Sequence, residues 1–307
     1  MTIASTSTSA FFDRATIDLA SLRAQAEKIQ GQISSGIKLT TSSDDPLAAS
    51  RLRSLSRLEV LGKIDTSAAQ RATVDLNLVD TALNQFANYT IRAQELATQA
   101  ASATLSPTQR ASIGSELAQI HGGLVSLANT RDSAGKALFG GDSPGDAYQL
   151  NTAGNASYIG TGTAGTLSLG DDQGVARSLT GPEFLNFNDP AGNSTDLLAV
   201  MKSLADTLQA GGAGAAAAAG SALGSLANGL DAITTAQTIV GSRLTWIDLS
   251  TERQQAMGEA RTSEQADIGA PDLASSLARL QQLSTVLEAS QSSFARLAGL
   301  SLFDLIR

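Results

Sequence analysis

The sequence predicts a mainly α-helical protein, with long antiparallel helices, terminal coiled-coil helices and a small β-containing insert domain. Three observations favour this fold class. Apolar residues recur every three or four positions near both ends of the 307-residue chain. From Pro46 to about Ala103 there is no further proline and only one glycine, Gly62. Between about Phe139 and Pro190, glycine and short polar residues replace the helical period, which indicates strands and turns.

The two ends of the chain carry apolar seams with coiled-coil spacing. The N-terminal seam consists of Phe12, Leu19, Leu22, Ala26, Ile29 and Ile33. The C-terminal seam consists of Leu273, Leu277, Leu280, Leu283, Leu287, Phe294 and Leu297. Neither helix is long or hydrophobic enough to be stable alone in water. We therefore expect the ends to be partners that are completed by assembly, although spacing alone is equally compatible with core helices of a monomeric bundle.

A strong helix-start signal precedes the long central helix. Ser43, Asp44, Asp45 and Pro46 combine short polar caps, acids that suit the positive end of a helix, and a proline in the first turn. No third or fourth oxygen ligand is evident nearby, so capping is favoured over a metal site. The helix is expected to be continuous, with Gly62 as the one place where it could be interrupted. Its predicted buried stripe is Ala72, Leu76, Val79, Leu83 and Phe86.

The middle of the chain predicts a helix, an insert and a return. A helix begins at Ser106-Pro107 and ends near Asn129, with a buried stripe along one face. Short strands are predicted at Tyr158-Ile159, Thr166-Leu167-Ser168-Leu169 and Val175. The helical pattern returns at Ser194-Thr195-Asp196, and the glycine- and alanine-rich stretch 211–220 is predicted to be a loop that leads into a helix of small residues.

These signals divide the chain into five predicted segments. Residues 1–42 form an N-terminal segment that orders as a helix on assembly, and residues 43–140 form the first half of a long-helix domain. Residues 141–192 form the β insert, and residues 193–268 form the returning half. Residues 269–307 form the C-terminal helix, which Pro271-Asp272 opens.

Composition argues against several classes of function. The formal net charge is −8, which disfavours nucleic-acid binding. No run of about 18 apolar residues predicts a membrane span, and the N-terminus lacks the pattern of a cleaved signal peptide. There is no cysteine, so thiol catalysis and thiolate metal sites are excluded. His121 is the only histidine, with no oriented nucleophile in view. We therefore predict no enzyme, no cofactor and no metal.

Four segments resemble the bacterial flagellin family. Residues 22–50, LRAQAEKIQGQISSGIKLTTSSDDPLAAS, resemble its N-terminal pattern. Residues 106–141 resemble the region that leads through Leu-Ala-Asn-Thr and Phe-Gly-Gly into a variable insert. VGSRLTWIDL at 240–249 resembles the start of the returning helix, and SFARLAGLSLFDLIR at 293–307 resembles the terminus of the members that join hook to filament. Asp44-Asp45-Pro46 is also the version of the helix start that those junction members carry.

The resemblance implies a non-enzymatic structural subunit of the extracellular flagellum. Family members are exported unfolded through the flagellar type III pathway, without a cleaved signal peptide and with a dedicated chaperone. Their terminal helices pair into an inner tube wall, and their insert faces outward. The implied partners are further copies of the chain, an adjacent hook-associated protein and flagellin. The implied assembly interface consists of Phe12, Leu19, Leu22, Ile29, Ile33, Leu273, Leu277, Leu280, Leu287, Phe294, Leu297, Leu302 and Phe303.

Two alternatives to the junction role stay open at this point. One is a filament flagellin with a short outer domain, against which Asp44-Asp45-Pro46 and the Leu302-Phe303-Asp304 ending argue. The other is a flagellin-like cell-surface adhesin or carbohydrate-binding protein. That function would require a specific ligand site in the insert, and the sequence of the insert shows none.

Overall fold

The structure is a computed structural model. It describes the backbone of residues 3–132, 134–170 and 173–304, and the side chains from Ala10 to Arg296 within those ranges. The helices are α1 (Ile3–Ser35), α2 (Pro46–Ala100), α3 (Pro107–Ala128), α4 (Gly181–Leu185), α5 (Leu197–Ala210), α6 (Ala215–Gly269) and α7 (Leu273–Asp304). The strands are β1 (Tyr148–Leu150), β2 (Ala156–Tyr158), β3 (Thr166–Gly170), β4 (Gln173–Ala176), β5 (Asn186–Asn188) and β6 (Ser194–Asp196). The predicted mainly α-helical fold class is confirmed.

The chain forms two compact units. The central unit is residues Leu61–Ala256, and the terminal unit combines the chain up to Val60 with the chain from Met257 onward. Helices α2 and α6 contribute residues to both units. Within the described residues, no helix combines the length and the apolar character that a membrane span requires.

The long helix α2 is continuous through Gly62. A single glycine costs a helix only about 1 kcal/mol, which the packing of its neighbours offsets. Asp45 caps the helix, because one of its carboxylate oxygens accepts hydrogen bonds from the backbone N–H groups of Leu47 and Ala48 at 3.1 and 3.0 Å. Every member of the predicted stripe of α2 is buried: Ala72, Leu76, Val79, Leu83 and Phe86.

Helix α3 begins and ends as the sequence predicts. Ser106 and Gln109 form a capping box around Pro107. The buried face of α3 packs on α5, and Gly114 allows the closest approach. A Cβ atom at Gly114 would lie 2.8 Å from the backbone nitrogen of Gln209 and 2.9 Å from the carbonyl oxygen of Ala205. The backbones of the two helices therefore approach each other closely at this point.

Three phenylalanines from different elements form the aromatic centre of the core. Phe86 of α2 lies edge-on to Phe139 and Phe184, with ring centroids 6.0 and 5.2 Å away. Phe139 and Phe184 are 4.9 Å apart, and all three rings are fully buried. Aromatic pairs of this geometry contribute about 0.5–1.5 kcal/mol each beyond the area they bury. The insert is thereby joined to the helical core.

The insert contains three two-stranded antiparallel hairpins, β1–β2, β3–β4 and β5–β6. The predicted strands at Tyr158, Thr166–Leu169 and Val175 lie in β2, β3 and β4, whereas Ile159 follows the end of β2. Strands β1, β5 and β6 and the short helix α4 were not predicted. The predicted helix start at Ser194-Thr195-Asp196 is wrong by three residues, because β6 occupies them and pairs with β5. Asp196 then caps α5 through a 2.8 Å hydrogen bond from the backbone N–H of Ala199.

Side chains on the helices, and Asn129 at the end of α3, bind backbone atoms of the insert. Asn129 donates to the carbonyl of Tyr148 at 2.9 Å, and its own oxygen accepts from the N–H groups of Ala147 and Tyr148. In separate contacts, side-chain N–H groups donate to insert carbonyls: Arg243 to Ser178, Asn228 to Asn188, and Gln254 to Leu169. Each anchor therefore uses a main-chain group of the insert.

We expect Gly114→Ala to lower the free energy of unfolding of the central unit by about 1–3 kcal/mol, because the added methyl group overpacks a backbone contact. Gly122→Ala is the matched control in the same helix, since nothing lies within 4 Å of its Cβ position. It should raise the free energy of unfolding by about 0.5–1 kcal/mol through helix propensity. Urea unfolding followed by circular dichroism measures both. Equal effects of the two substitutions would contradict close packing at Gly114.

Candidate assembly interface

In the terminal unit, α1 and α7 pack against each other in antiparallel orientation. The rings of Phe12 and Phe294 meet edge to face with centroids 5.4 Å apart. Near the other end of the pair, Lys28, Ile29 and Gln32 lie beside Ser275, Ser276 and Arg279. The two predicted seams therefore face each other within one chain.

The seam follows a heptad pattern on both helices. On α1 the shielded residues include Phe12, Ala15, Leu19, Leu22, Ala26, Ile29 and Ile33, and on α7 they include Ser276, Leu280, Leu283, Leu287, Ser290 and Phe294. Steps of three and four keep each set on one face. The most enclosed member of the seam is Leu283, with 8% of its surface exposed. The other seam residues are only half-buried, because two helices cover a single stripe of each other.

The predicted interface residues divide into three groups. Phe12, Leu19, Leu22, Ile29, Ile33, Leu280, Leu287 and Phe294 lie on the seam. Leu273 and Leu277 lie off it and are 59% and 52% exposed, because the seam on α7 runs through Ser276 and Leu280 instead. The side chains of Leu297, Leu302 and Phe303 lie outside the described residues. The assembly roles of all these residues stay predictions.

The outer faces of the helix pair also carry large apolar side chains. Phe11 is 52% exposed, Ile17 is 68% exposed and Val286 is 41% exposed. Sequence reasoning did not select these residues, because they fall between the positions of the heptad seam. The sequence feature that could have identified them is a bulky apolar side chain on the otherwise polar face of the helix, away from the seam. The helix pair therefore has apolar surface that no part of its own described chain covers.

The segment between α1 and α2 is held by hydrogen bonds within the terminal unit. Gly36 ends α1 with a φ of +68°, a conformation that favours glycine. Gln32 then donates from Nε2 to the carbonyl of Lys38 at 2.5 Å, and the N–H of Lys38 donates to the carbonyl of Gly269 at 2.7 Å. The start of α2 and the end of α6 are also joined, because Arg51 makes a two-pronged ion pair with Glu264.

The residues of the predicted helix-start motif have different structural roles. Asp45 is the cap of α2, whereas Asp44 binds the Nζ atom of Lys28 on α1 at 2.6 Å. Asp44 also accepts hydrogen bonds from Thr41 N–H and the Thr40 hydroxyl. These partners, Lys28 first, hold the pKa of the Asp44 carboxyl far below its usual range. Ser43 Oγ lies 2.9 Å from Thr41 Oγ1, and Pro46 is the first residue of the helix.

A charged pocket lies in the central unit, beside α2. Arg177 binds Asp132 at 2.6 Å and approaches Asp75 at 4.0 Å, and all three side chains are largely buried. Asp132 also accepts hydrogen bonds from the backbone N–H groups of Ala134 and Lys136. Burial, reinforced by nearby Asp132, raises the pKa of Asp75, although Arg177 and Arg71 oppose the shift. Asp75 therefore prefers its neutral form more than a free aspartate does.

His121 packs inside the central unit. It is 5% exposed on α3, and its Nε2 atom makes no hydrogen bond within the part of the chain that the structure describes. Burial, with Lys202 nearby, lowers its pKa. Among the described residues, no group of three or more histidine, cysteine, aspartate or glutamate side chains is arranged to hold a metal ion. These observations favour a packing role for His121.

The comparisons with known proteins fit this architecture. Residues 6–143 match the bacterial flagellin N-terminal helical region. The chain is 28% identical over 304 residues to flagellar hook-associated protein 3 of Escherichia coli K12, with 92% of this chain and 93% of that protein covered. It is 26% identical over 323 residues to the protein of the same name from Salmonella typhimurium, with 98% and 99% covered. In fold, it is similar to a putative flagellar hook-associated protein from Vibrio parahaemolyticus, with a TM-score of 0.67, 18% identity, and 74% of this chain and 100% of that chain covered.

A helical body with a small insert, and a shallow seam between the two chain ends, defines a structural subunit of the flagellar type. Residues 6–143 match the N-terminal helical region of the bacterial flagellin family, and nearly the whole chain is similar to proteins of the hook-associated protein 3 type. Its role in the flagellum is structural. The named relatives favour this type over the filament flagellin and over the adhesin or carbohydrate-binding alternative.

We expect Leu283→Ala to loosen the pairing of α1 with α7, because Leu283 is the most enclosed side chain of the seam. A loss of about 2 kcal/mol corresponds to roughly 30-fold faster amide hydrogen exchange in both helices. Val286→Ala, in the same helix but 41% exposed, is the matched control and should leave exchange nearly unchanged. Faster exchange in α7 without a change in α1 would contradict mutual stabilisation across the seam.

Asp75→Asn should stabilise the central unit in a pH-dependent way. The folded-state pKa of Asp75 is raised, so wild-type stability falls as the pH rises from the ordinary aspartate pKa through the raised one. At pH values above the raised pKa, Asp75 is ionised in the folded protein, and its buried charge destabilises the wild type fully. The variant should then unfold at a higher urea concentration than the wild type. Below about pH 4 the advantage should vanish. Asp231→Asn, at an exposed position of α6, controls for the loss of one negative charge. A constant difference across pH would refute the assignment.

Proposed function

We propose that this chain joins the hook of the bacterial flagellum to its filament. It does so by self-assembly, with α1 and α7 of neighbouring copies packing side by side around the flagellar axis. Support comes from the apolar surface that the helix pair leaves uncovered, and from the full-length similarity to proteins named flagellar hook-associated protein 3. Its neighbours in the assembly are an adjacent hook-associated protein on one side and flagellin on the other.

The observation that carries the proposal is the shallow seam between α1 and α7. Leu283 is almost enclosed, whereas Ile17, Leu273 and Leu277 expose more than half of their surface. Fully burying one such side chain contributes about 1.5–3 kcal/mol. A neighbouring copy that covers these faces therefore offsets the entropy cost of ordering the terminal helices. The completed interface includes Leu297, Leu302 and Phe303, which extend the apolar pattern of α7.

We propose an ordered division of labour along the chain. Residues 1–42 and 269–307 form the inner wall of the assembly, residues 43–140 and 193–268 form the surrounding helical layer, and residues 141–192 face outward. The protein is extracellular, exported through the flagellar type III pathway without a cleaved signal peptide and with a dedicated chaperone. We infer a structural role without catalysis, which the names of its relatives support.

Removal of residues 1–40 or 273–307 should abolish incorporation into flagella while the central unit stays folded. Ile17→Asp is a sharper variant, because Ile17 is 68% exposed and its loss removes only apolar surface. It should be secreted into the medium but not retained at the hook. Gln30→Asp, at another exposed position of α1, is the matched control and should be retained. Normal attached filaments with the truncated proteins or with Ile17→Asp would contradict the proposal.

Immunogold labelling of isolated flagella tests the position of the subunit. We expect a narrow band at the distal end of the hook. Label along the whole filament would assign the chain to the filament instead, and label elsewhere on the cell surface would favour the adhesin alternative. Purified chain should show no hydrolytic or transfer activity that Asp75→Asn or His121→Gln abolishes.

A further inference from the structure

One flank of α6 in the central unit exposes a short apolar ridge. Ile239, Trp246 and Leu249 are 41%, 44% and 56% exposed. Trp246 is the only tryptophan of the chain. A spacing of seven and then three residues keeps the three side chains on one side of the helix. A large aromatic group at an exposed position with apolar neighbours marks a surface that a partner can cover.

The flank of α2 carries a complementary hollow, which is the charged pocket described above. It has a volume of about 430 Å³ and an apolar wall of Val74, Ala134 and Leu167. Its polar lining includes Arg71, Asp75, Asp132 and Arg177. Among the described residues, the ion-pair partner of the Asp75 carboxylate is Arg177 at 4.0 Å. The hollow can therefore take a bulky apolar group that also carries a hydrogen-bond donor.

The ridge and the hollow lie at the same level of the central unit. Asn84 of α2 binds Gln237 of α6 at 3.1 Å, and Thr66 of α2 lies 3.4 Å from Gln254 of α6. On α2, Val74 lies near the midpoint between Thr66 and Asn84. On α6, Trp246 lies near the midpoint between Gln237 and Gln254, the partners of those two residues. Val74 and Trp246 therefore lie at the same height along the axes of the two antiparallel helices.

The same contacts show that the two features face away from each other. Trp246 lies nine residues after Gln237 and eight before Gln254, which is ~180° and ~80° around the helix, so it lies on a flank of α6 that is turned away from α2. Arg71 follows Thr66 by five residues, ~140° around α2, so it lies on the flank that is turned away from α6. A chain cannot place its own ridge in its own hollow, but a laterally adjacent copy in the same orientation presents its ridge at the right height.

The chemistry of the two features also matches. An indole has an apolar body and one N–H donor, and such groups need a partner when buried. The Asp75 carboxylate is an acceptor at the inner end of the hollow, and the Arg71 guanidinium at its rim can lie over the indole face as a cation–π contact. Leu249, one turn further along α6, lies at the height of Gln70 and Arg71 of α2.

We propose that Trp246 and Leu249 of one copy dock into the hollow around Val74 and Asp75 of the next copy. The inference rests on the proposed self-assembly and assigns its lateral contact in the central unit. Because the contact joins two different surfaces, it repeats around an axis and closes into a ring or continues as a helix. It is separate from the contact between the terminal helices, so each can be disrupted without the other.

Cysteine cross-linking tests the contact directly, because the chain has no cysteine of its own. Flagella from cells that make the double variant Val74→Cys with Trp246→Cys should give a ladder of covalent oligomers after mild oxidation. Each single variant should give none, and the two single variants made in the same cell should give only dimers. A double variant that is incorporated but does not cross-link would overturn the contact and leave the proposed function standing.

Introducing a charge at Trp246 tests the proposed contact between copies independently of cross-linking. Trp246→Glu should lower the amount retained in isolated flagella by at least about tenfold, whereas Trp246→Phe should retain most of it. Thr234→Glu, at an exposed position on another face of α6, is the matched control and should be retained like wild type. Circular dichroism of each purified variant checks that it folds. Full retention of folded Trp246→Glu would overturn the proposal. Absence of the wild-type chain from flagella would refute the proposed function and this contact together.

Discussion

The assembly behaviour of the chain depends on how deeply the seam between α1 and α7 is buried. A pair of helices can shield one stripe of each partner, and a seam of leucine, isoleucine and phenylalanine then remains open along both edges. Leu283 is the nearly enclosed member, and Phe12 and Phe294 meet edge to face at one end. The free energy available from full burial of these side chains is therefore only partly used in the single chain. It is available to a neighbouring copy.

The central unit has the opposite character. Its core is closed within one chain, with Phe86, Phe139 and Phe184 joining the long helix to the insert. Gly114 allows α3 and α5 to approach until a methyl group would no longer fit. A unit whose core is complete in one chain can present its flanks at fixed heights, whereas the terminal helices leave apolar surface that the proposed neighbours would cover. The central unit is thus preorganised, and the terminal helices supply apolar surface for binding.

The sequence predicted the parts of the structure that follow from periodicity. Stripes such as Leu76, Val79 and Leu83 are buried as their spacing indicates. The insert was predicted less well, because strands of three residues carry almost no periodic signal. The residues of β6 carry the signal of a helix start, since Asp196 caps α5 whichever structure precedes it. The division between Asp44 and Asp45 could not be predicted, because it depends on Lys28, which is distant in sequence. The charged pocket was missed for the same reason, as Asp75, Asp132 and Arg177 come from three separate segments.

The way in which the helices hold the insert has a consequence for how this protein can change over generations. Asn129, Asn228 and Arg243 bind carbonyl or N–H groups of the insert backbone. Every amino acid has a backbone carbonyl, and every one except proline has a backbone N–H. These hydrogen bonds therefore do not depend on most side chains of the insert. Side-chain substitutions in the insert can therefore accumulate while these anchoring hydrogen bonds stay in place.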